Sequence, residues 1–189
     1  MALAAFAVLT NMDVILAKHF LSPESAGNYS AISVLGRIVL VAPMGIAMAM
    51  FPKTSELFET GGRHRPVLVK ATLLTILLGG GVVLVYWLFP DFIINSLFAD
   101  EYSLVASHLF KYGLAMAFWA ISFLLMQYLL SLNRTRVAYS LLGAMVLQVG
   151  LIIGFHSSIG QIVDIMLISS IVCLALVCPF YFNVRRRHL

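Results

Sequence analysis

Two ionisable side chains stand inside long apolar runs: Asp13 in the run over residues 1–17, and Arg37 in the run over 29–51. A charge at the centre of a bilayer costs on the order of 2.5–3.5 kcal/mol on insertion scales, so such groups face a bundle interior or a wet cavity. If the first run ends near Phe20, Asp13 lies about seven residues, or about 10 Å, below that membrane surface. If the second begins near Tyr29, Arg37 lies about eight residues, or about 12 Å, below the same surface. Only a short loop joins the two runs. Opposite charges at matching depth on neighbouring helices predict an ion pair or a shared polar cavity. Thr10 stands at i−3 from Asp13, and Ser30 and Ser33 stand at i−7 and i−4 from Arg37, a polar stripe longer than one ion pair requires. A buried structural salt bridge is the competing reading. Pro43 and Gly45 interrupt the second run, as a hinge or cavity wall would, or a fixed kink. Gln127 and Ser131 make a second short stripe, and Gln148 sits in the fifth run. Residues of this kind also serve simply to bond helices together.

Other chemistry is not written in the chain. Cys173 and Cys178, five apart, have neither metal nor redox spacing. The five histidines at 19, 64, 108, 156 and 188 are scattered, no HExxH or GxSxG occurs, and no span holds two carboxylates for an acid/base couple. Gly79-Gly80-Gly81 lacks the following Lys-Ser/Thr of a phosphate loop and lies within an apolar run, which points to helix packing. Gly150 and Gly154 match GxxxG, a signal of close helix contact. Asp164 falls where a helix N-terminus favours an acid. We therefore expect no catalytic residue, no metal site and no bound cofactor.

The elements that must position Asp13 and Arg37 follow from composition. The 189 residues are 61% apolar and 11% charged, with a mean hydropathy of +1.00. Ordinary soluble domains run about 45–50% apolar and about 25% charged, and a domain this small cannot hide such an excess in one core. The composition excludes a soluble enzyme, a disordered segment and a disulfide-stapled module. Six apolar runs, at about 1–17, 29–51, 71–89, 112–132, 137–155 and 165–183, each have the length needed to cross about 30 Å of hydrocarbon as a helix. Alternation of period two, which a barrel needs, is absent. Between the runs, 52–59 is polar with Leu57 and Phe58 set in it, and reads as a loop or a short surface helix. Residues 91–109 read as an interfacial amphipathic helix.

The formal charge of +4 invites a nucleic-acid reading, but its placement argues for topology. Nine of the twelve Lys and Arg lie in the even-numbered loops and the tail, two lie in the odd loops, and Arg37 is within the membrane. The positive-inside rule then puts both termini in the cytoplasm. No basic stripe with interleaved aromatics occurs, so no nucleic-acid partner is expected.

Asn11-Met12-Asp13, Leu16, Phe20-Leu21-Ser22-Pro23-Glu24, Ala26-Gly27, Tyr29, Leu35-Gly36-Arg37 and Phe51-Pro52-Lys53 with Ser55 form a series. It resembles the start of the C-terminal half of polysaccharide flippases, the O-antigen and exopolysaccharide exporters of the multidrug/oligosaccharidyl-lipid/polysaccharide (MOP) superfamily. Leu97-Phe98-Ala99-Asp100-Glu101-Tyr102 is similar to a later segment there, with Ala99 where Gly often stands. Motif-level likeness covers about the first third of the chain.

The resemblance implies an all-α integral membrane protein: residues 1–189 as one six-helix lobe of a MATE-like fold in the cytoplasmic (inner) membrane. Two such lobes rock about a central cavity and carry an undecaprenyl-diphosphate-linked oligosaccharide from the inner to the outer leaflet, for cell-surface polysaccharide synthesis. Driving such a cycle falls to an ion gradient, H+ or Na+. It further implies that Arg37 meets the anionic head group and that Asp13 holds Arg37 or senses a coupling cation. Ser30, Ser33, Thr10 and Gln127 would line the cavity. Because one lobe alone is present, a missing N-terminal lobe or a second copy is the expected partner. A cation-coupled multidrug exporter of the same superfamily, a membrane-embedded glycan enzyme, and a non-transporting half are the alternatives. The single embedded acid argues against the first, and the absence of a large polar outer loop against the second.

Overall fold

The computed structural model describes residues 2–97 and 106–186, and all regular structure among them is helical. The helices are α1 (Ala2–Leu9), α2 (Met12–Phe20), α3 (Pro23–Glu59), α4 (Arg65–Leu88), α5 (Pro90–Leu97), α6 (Ala106–Ser131), α7 (Val137–Gly154) and α8 (Ile159–Arg186). Taking α1 and α2 together, six helical stretches are long and apolar enough to cross a bilayer, in the places the apolar runs predict. The chain is a multi-pass α-helical membrane protein. Residues 98–105, which include Asp100 and Glu101, lie outside the described residues, as does Arg187.

Helix α6 is the axis of the bundle and packs against α3, α4 and α8. Its Leu109, Tyr112, Ala115, Met116, Trp119, Phe123 and Met126 are all buried. Large side chains elsewhere point outward: Leu73, Leu74, Ile76, Leu77 and Leu84 of α4 are exposed to what would be lipid. Contacts at the helix ends fix the up-and-down order. At one end His64, after α3, bonds the Tyr128 hydroxyl of α6 at 2.9 Å, and Tyr128 meets Tyr181 of α8. At the other, Phe20 of α2 stacks on His156 before α8, with ring centroids 4.1 Å apart, and Lys111 pairs with Asp164 at 2.8 Å.

Helix α3 departs from its predicted bounds at both ends. Its start is set by local chemistry: Ser22 accepts a hydrogen bond from the Ser25 amide at 3.3 Å, Pro23 occupies the first turn, and Glu24 meets the positive end of the dipole. At the far end, residues 52–59 are not a separate surface helix but the last turns of α3. Thr54 bonds back to the Met50 carbonyl at 2.9 Å, and Lys53 pairs with Glu56 at 3.0 Å along one face. Helical structure also runs on through Pro43 and Gly45, which do not interrupt the span.

The interruption lies in the first span, where no Pro or Gly marks it. Thr10 and Asn11 separate α1 from α2. The Asn11 side-chain amide donates to the Ala7 carbonyl at 2.7 Å, and the Thr10 hydroxyl donates to the Phe6 carbonyl at 3.0 Å. Short polar side chains that bond the preceding turn compete with the backbone ladder. Leu9 keeps its carbonyl satisfied because Gln148 of α7 donates to it at 2.9 Å. In the membrane such repair is required, since water is not there to do it.

Candidate functional site

The break turns Asp13 into the bundle. It is wholly buried, and its Oδ2 accepts hydrogen bonds from Tyr29 of α3 at 2.7 Å and Tyr112 of α6 at 2.6 Å. The two rings meet edge to face with centroids 5.8 Å apart. Oδ1 has no hydrogen-bond partner. Tyr112 reaches the carboxylate across α3 at Gly36, where a β-carbon would overlap the tyrosine ring. A neighbouring small residue serves the same packing: Gly113 leaves room for Tyr86, whose hydroxyl donates to the Leu35 carbonyl at 2.7 Å. Three helices thus meet on one carboxylate.

Arg37 is not part of that knot. No ion pair joins it to Asp13, so the predicted pair is corrected: the carboxylate is satisfied by phenols, and the guanidinium acts on it only through space. Arg37 is instead half-buried in the wall of a cavity of about 250 Å³ between α1 and α3, with Nε lacking a partner. Thr10 and Asn11, the residues of the break, line the same cavity beside Phe6, Met44 and Phe123. Thr10, expected on the Asp13 face, thus lies in one cavity wall with Arg37, whereas Asp13, expected at Arg37, turns away to the two tyrosines.

The remaining expected residues divide. Ser30 donates to the Ala26 carbonyl and Ser33 to the Ser30 carbonyl, each at 2.8 Å, so both hydroxyls are spent on their own helix and neither lines the cavity. Gln127 and Ser131 are buried in α6, and Ser131 donates to the Tyr128 carbonyl at 2.8 Å. Pro43 is buried and lies with Val39 against Gly79, so the triple-glycine run does serve helix packing at its first member. Gly150 and Gly154 face open space, and no helix approaches them. Cys173 and Cys178 are free, and no group of three or more potential metal-ligating side chains occurs among the described residues.

Sequence reasoning missed Tyr29 and Tyr112 as site residues. The signal was present, because a carboxylate inside a membrane must find donors and tyrosine is among the few apolar-bodied residues that carry one. Which of the seven tyrosines would answer could not be read, since Tyr112 is 99 residues from its partner. No family model, curated protein or solved structure matches this chain.

Proposed function

We propose that the chain is one lobe of a carrier, not an enzyme, that flips an undecaprenyl-diphosphate-linked oligosaccharide across the inner membrane for cell-surface polysaccharide synthesis. Its second lobe is supplied by a preceding segment, another chain or a second copy. The observation that carries this reading is Arg37: a guanidinium within a membrane span, unpaired by Asp13, opening on a cavity at the break in span 1. An embedded cation with no direct ion pair, open to a cavity, is suited to an anionic ligand. The planar fork of arginine suits the oxygens of a diphosphate. Thr10 and Asn11 line the same cavity, with their side-chain donors held by the Phe6 and Ala7 carbonyls and their oxygens left as acceptors. The same geometry weighs against cationic drugs, for which the acid would have to be accessible, whereas Asp13 is sealed under two tyrosines.

Asp13, the one carboxylate buried among the described residues, at the meeting of three helices, is the candidate for sensing a coupling H+ or Na+. Pro43 and Gly45 remain candidates for bending α3 about the cavity. The test is replacement of Arg37 by Ala in cells that depend on this protein for glycan export. Export should fall at least tenfold with protein levels unchanged, and Arg37→Lys should recover only part of it. Normal export by Arg37→Ala at normal abundance would refute the substrate role.

A further inference from the structure

A further cavity among the described residues, about 420 Å³, lies between α1, the end of α6 and the start of α7. Its size falls within the range of about 300–1,000 Å³ typical of ligand pockets. Leu3, Leu130, Ala138 and Leu142 make its wall apolar, and its polar groups are the hydroxyl-bearing Thr135 and Tyr139. Thr135 stands between Arg134 and Arg136 in the α6–α7 turn, where all three residues are exposed and neither arginine pairs with an acid among the described residues.

The turn itself is pinned. Asn133 takes the left-handed conformation, with φ 58°, and the Arg134 amide donates to the Leu129 carbonyl at 2.9 Å. The Asn133 amide donates to the Leu130 carbonyl at 3.0 Å, which completes a Schellman closure of α6. Arg134 and Arg136 are therefore carried on a fixed turn whose middle residue, Thr135, lines the apolar groove. The level of that turn is marked by Tyr139, three-quarters exposed in the first turn of α7, since tyrosine concentrates where headgroups meet hydrocarbon. By the placement of basic residues, the α6–α7 turn faces the cytoplasm, the side on which anionic lipids accumulate.

We propose that this groove binds one anionic phospholipid of the inner leaflet. An acyl chain fills the cavity along Leu3, Leu130 and Leu142, and Arg134 and Arg136 hold the phosphate. A free phosphate would use the arginines and leave the apolar wall without purpose, whereas an apolar ligand would leave the arginines without one. This site lies apart from the Arg37 cavity and does not depend on what passes through it. Leu3 lines both, so a bound lipid would press on the same α1 that bounds the Arg37 site.

Native mass spectrometry of the purified full chain, equilibrated with equal amounts of phosphatidylglycerol and phosphatidylethanolamine of the same acyl composition, tests this directly. One phosphatidylglycerol should be retained about tenfold in preference to phosphatidylethanolamine, as two headgroup-facing arginines would give. The double substitution Arg134→Gln/Arg136→Gln should abolish the preference, while Arg63→Gln/Arg65→Gln, where the α3–α4 connection enters α4, should leave it intact. Leu142→Trp, which fills the cavity and keeps both charges, should reduce retention of either lipid several-fold. These two lesions are independent, one on an exposed turn and one in the groove, so misfolding of either leaves the other to decide. Equal retention of the two lipids by the wild-type chain overturns the proposal. So does a preference lost equally with Arg63 and Arg65, or displacement of the lipid by glycerol 1-phosphate at comparable concentration, which would reduce the site to a bare anion contact.

Discussion

Gly36→Ala is the most informative single substitution in this bundle, because one methyl group tests the whole three-helix knot. The new β-carbon would lie inside contact distance of Cδ1 and Cε1 of Tyr112, a side chain with no exposed surface to retreat into. Overpacking of this kind costs about 1–3 kcal/mol. Moving the ring also takes its hydroxyl from Asp13, which keeps only Tyr29, and the buried Tyr112 hydroxyl left without its acceptor costs about 1–3 kcal/mol more. Against this, alanine gains up to about 1 kcal/mol over glycine in helix propensity. The net expectation is a loss of about 3 kcal/mol, read as a fall of roughly 6–12 °C in the thermal midpoint of the detergent-purified protein. The cause is isolated by a double-mutant cycle. In a Tyr112→Ala background the methyl has room, so Gly36→Ala should cost almost nothing and the coupling should approach the full loss. Tyr112→Phe keeps the ring and loses only the hydroxyl, which separates the steric part from the hydrogen bond. A midpoint within about 1 °C of wild type, or the same fall in both backgrounds, refutes the packing argument.

Gln148→Leu removes the donor that satisfies the Leu9 carbonyl at the break, while also removing the unpartnered Oε1 of Gln148. Interhelical polar bonds in membranes average about 0.6 kcal/mol, so a midpoint lowered by roughly 1–3 °C is expected in the same assay. Asp164→Asn breaks the half-exposed pair with Lys111 and should cost no more than about 1 kcal/mol, a difference that vanishes in about 1 M salt. Orientation is checked by cysteine labelling in a Cys173→Ala/Cys178→Ala background. An impermeant maleimide applied to intact cells should modify Lys111→Cys and not Arg134→Cys, and the opposite pattern inverts the topology.

The spans were legible because hydrocarbon imposes a length and an apolar content that few other structures require. Six helical stretches overlap the six apolar runs, α1 and α2 sharing the first, and the errors lie at ends and breaks. Residues 52–59 looked like a loop because they are polar, yet polarity in the last turns of α3 reports only that the helix has left the lipid. The break at Thr10–Asn11 was illegible for the opposite reason. It is made by side chains bonding the backbone behind them, and nothing in composition separates that from an ordinary polar stripe. Depth along a helix can be counted from sequence, whereas azimuth cannot be counted past a break. Arg37 and Thr10 line one cavity, while Asp13, beyond the break, turns away to Tyr29 and Tyr112. The serines misled because a hydroxyl in a helix can be satisfied by its own turn.

The interruption of the first span has a mechanical consequence. Its two pieces have different sets of neighbours: α1 packs mainly on α7, and α2 is shared among α3, α7 and α8. Thr10 and Asn11 are thus a swivel joining two packing groups, with the backbone ladder already open there and the freed Leu9 carbonyl held by α7. A shear of α3 against α7 can be absorbed at that swivel without rupturing either half-helix. Because the swivel residues also wall the Arg37 cavity, such a shear would be felt first as a change in that cavity's width.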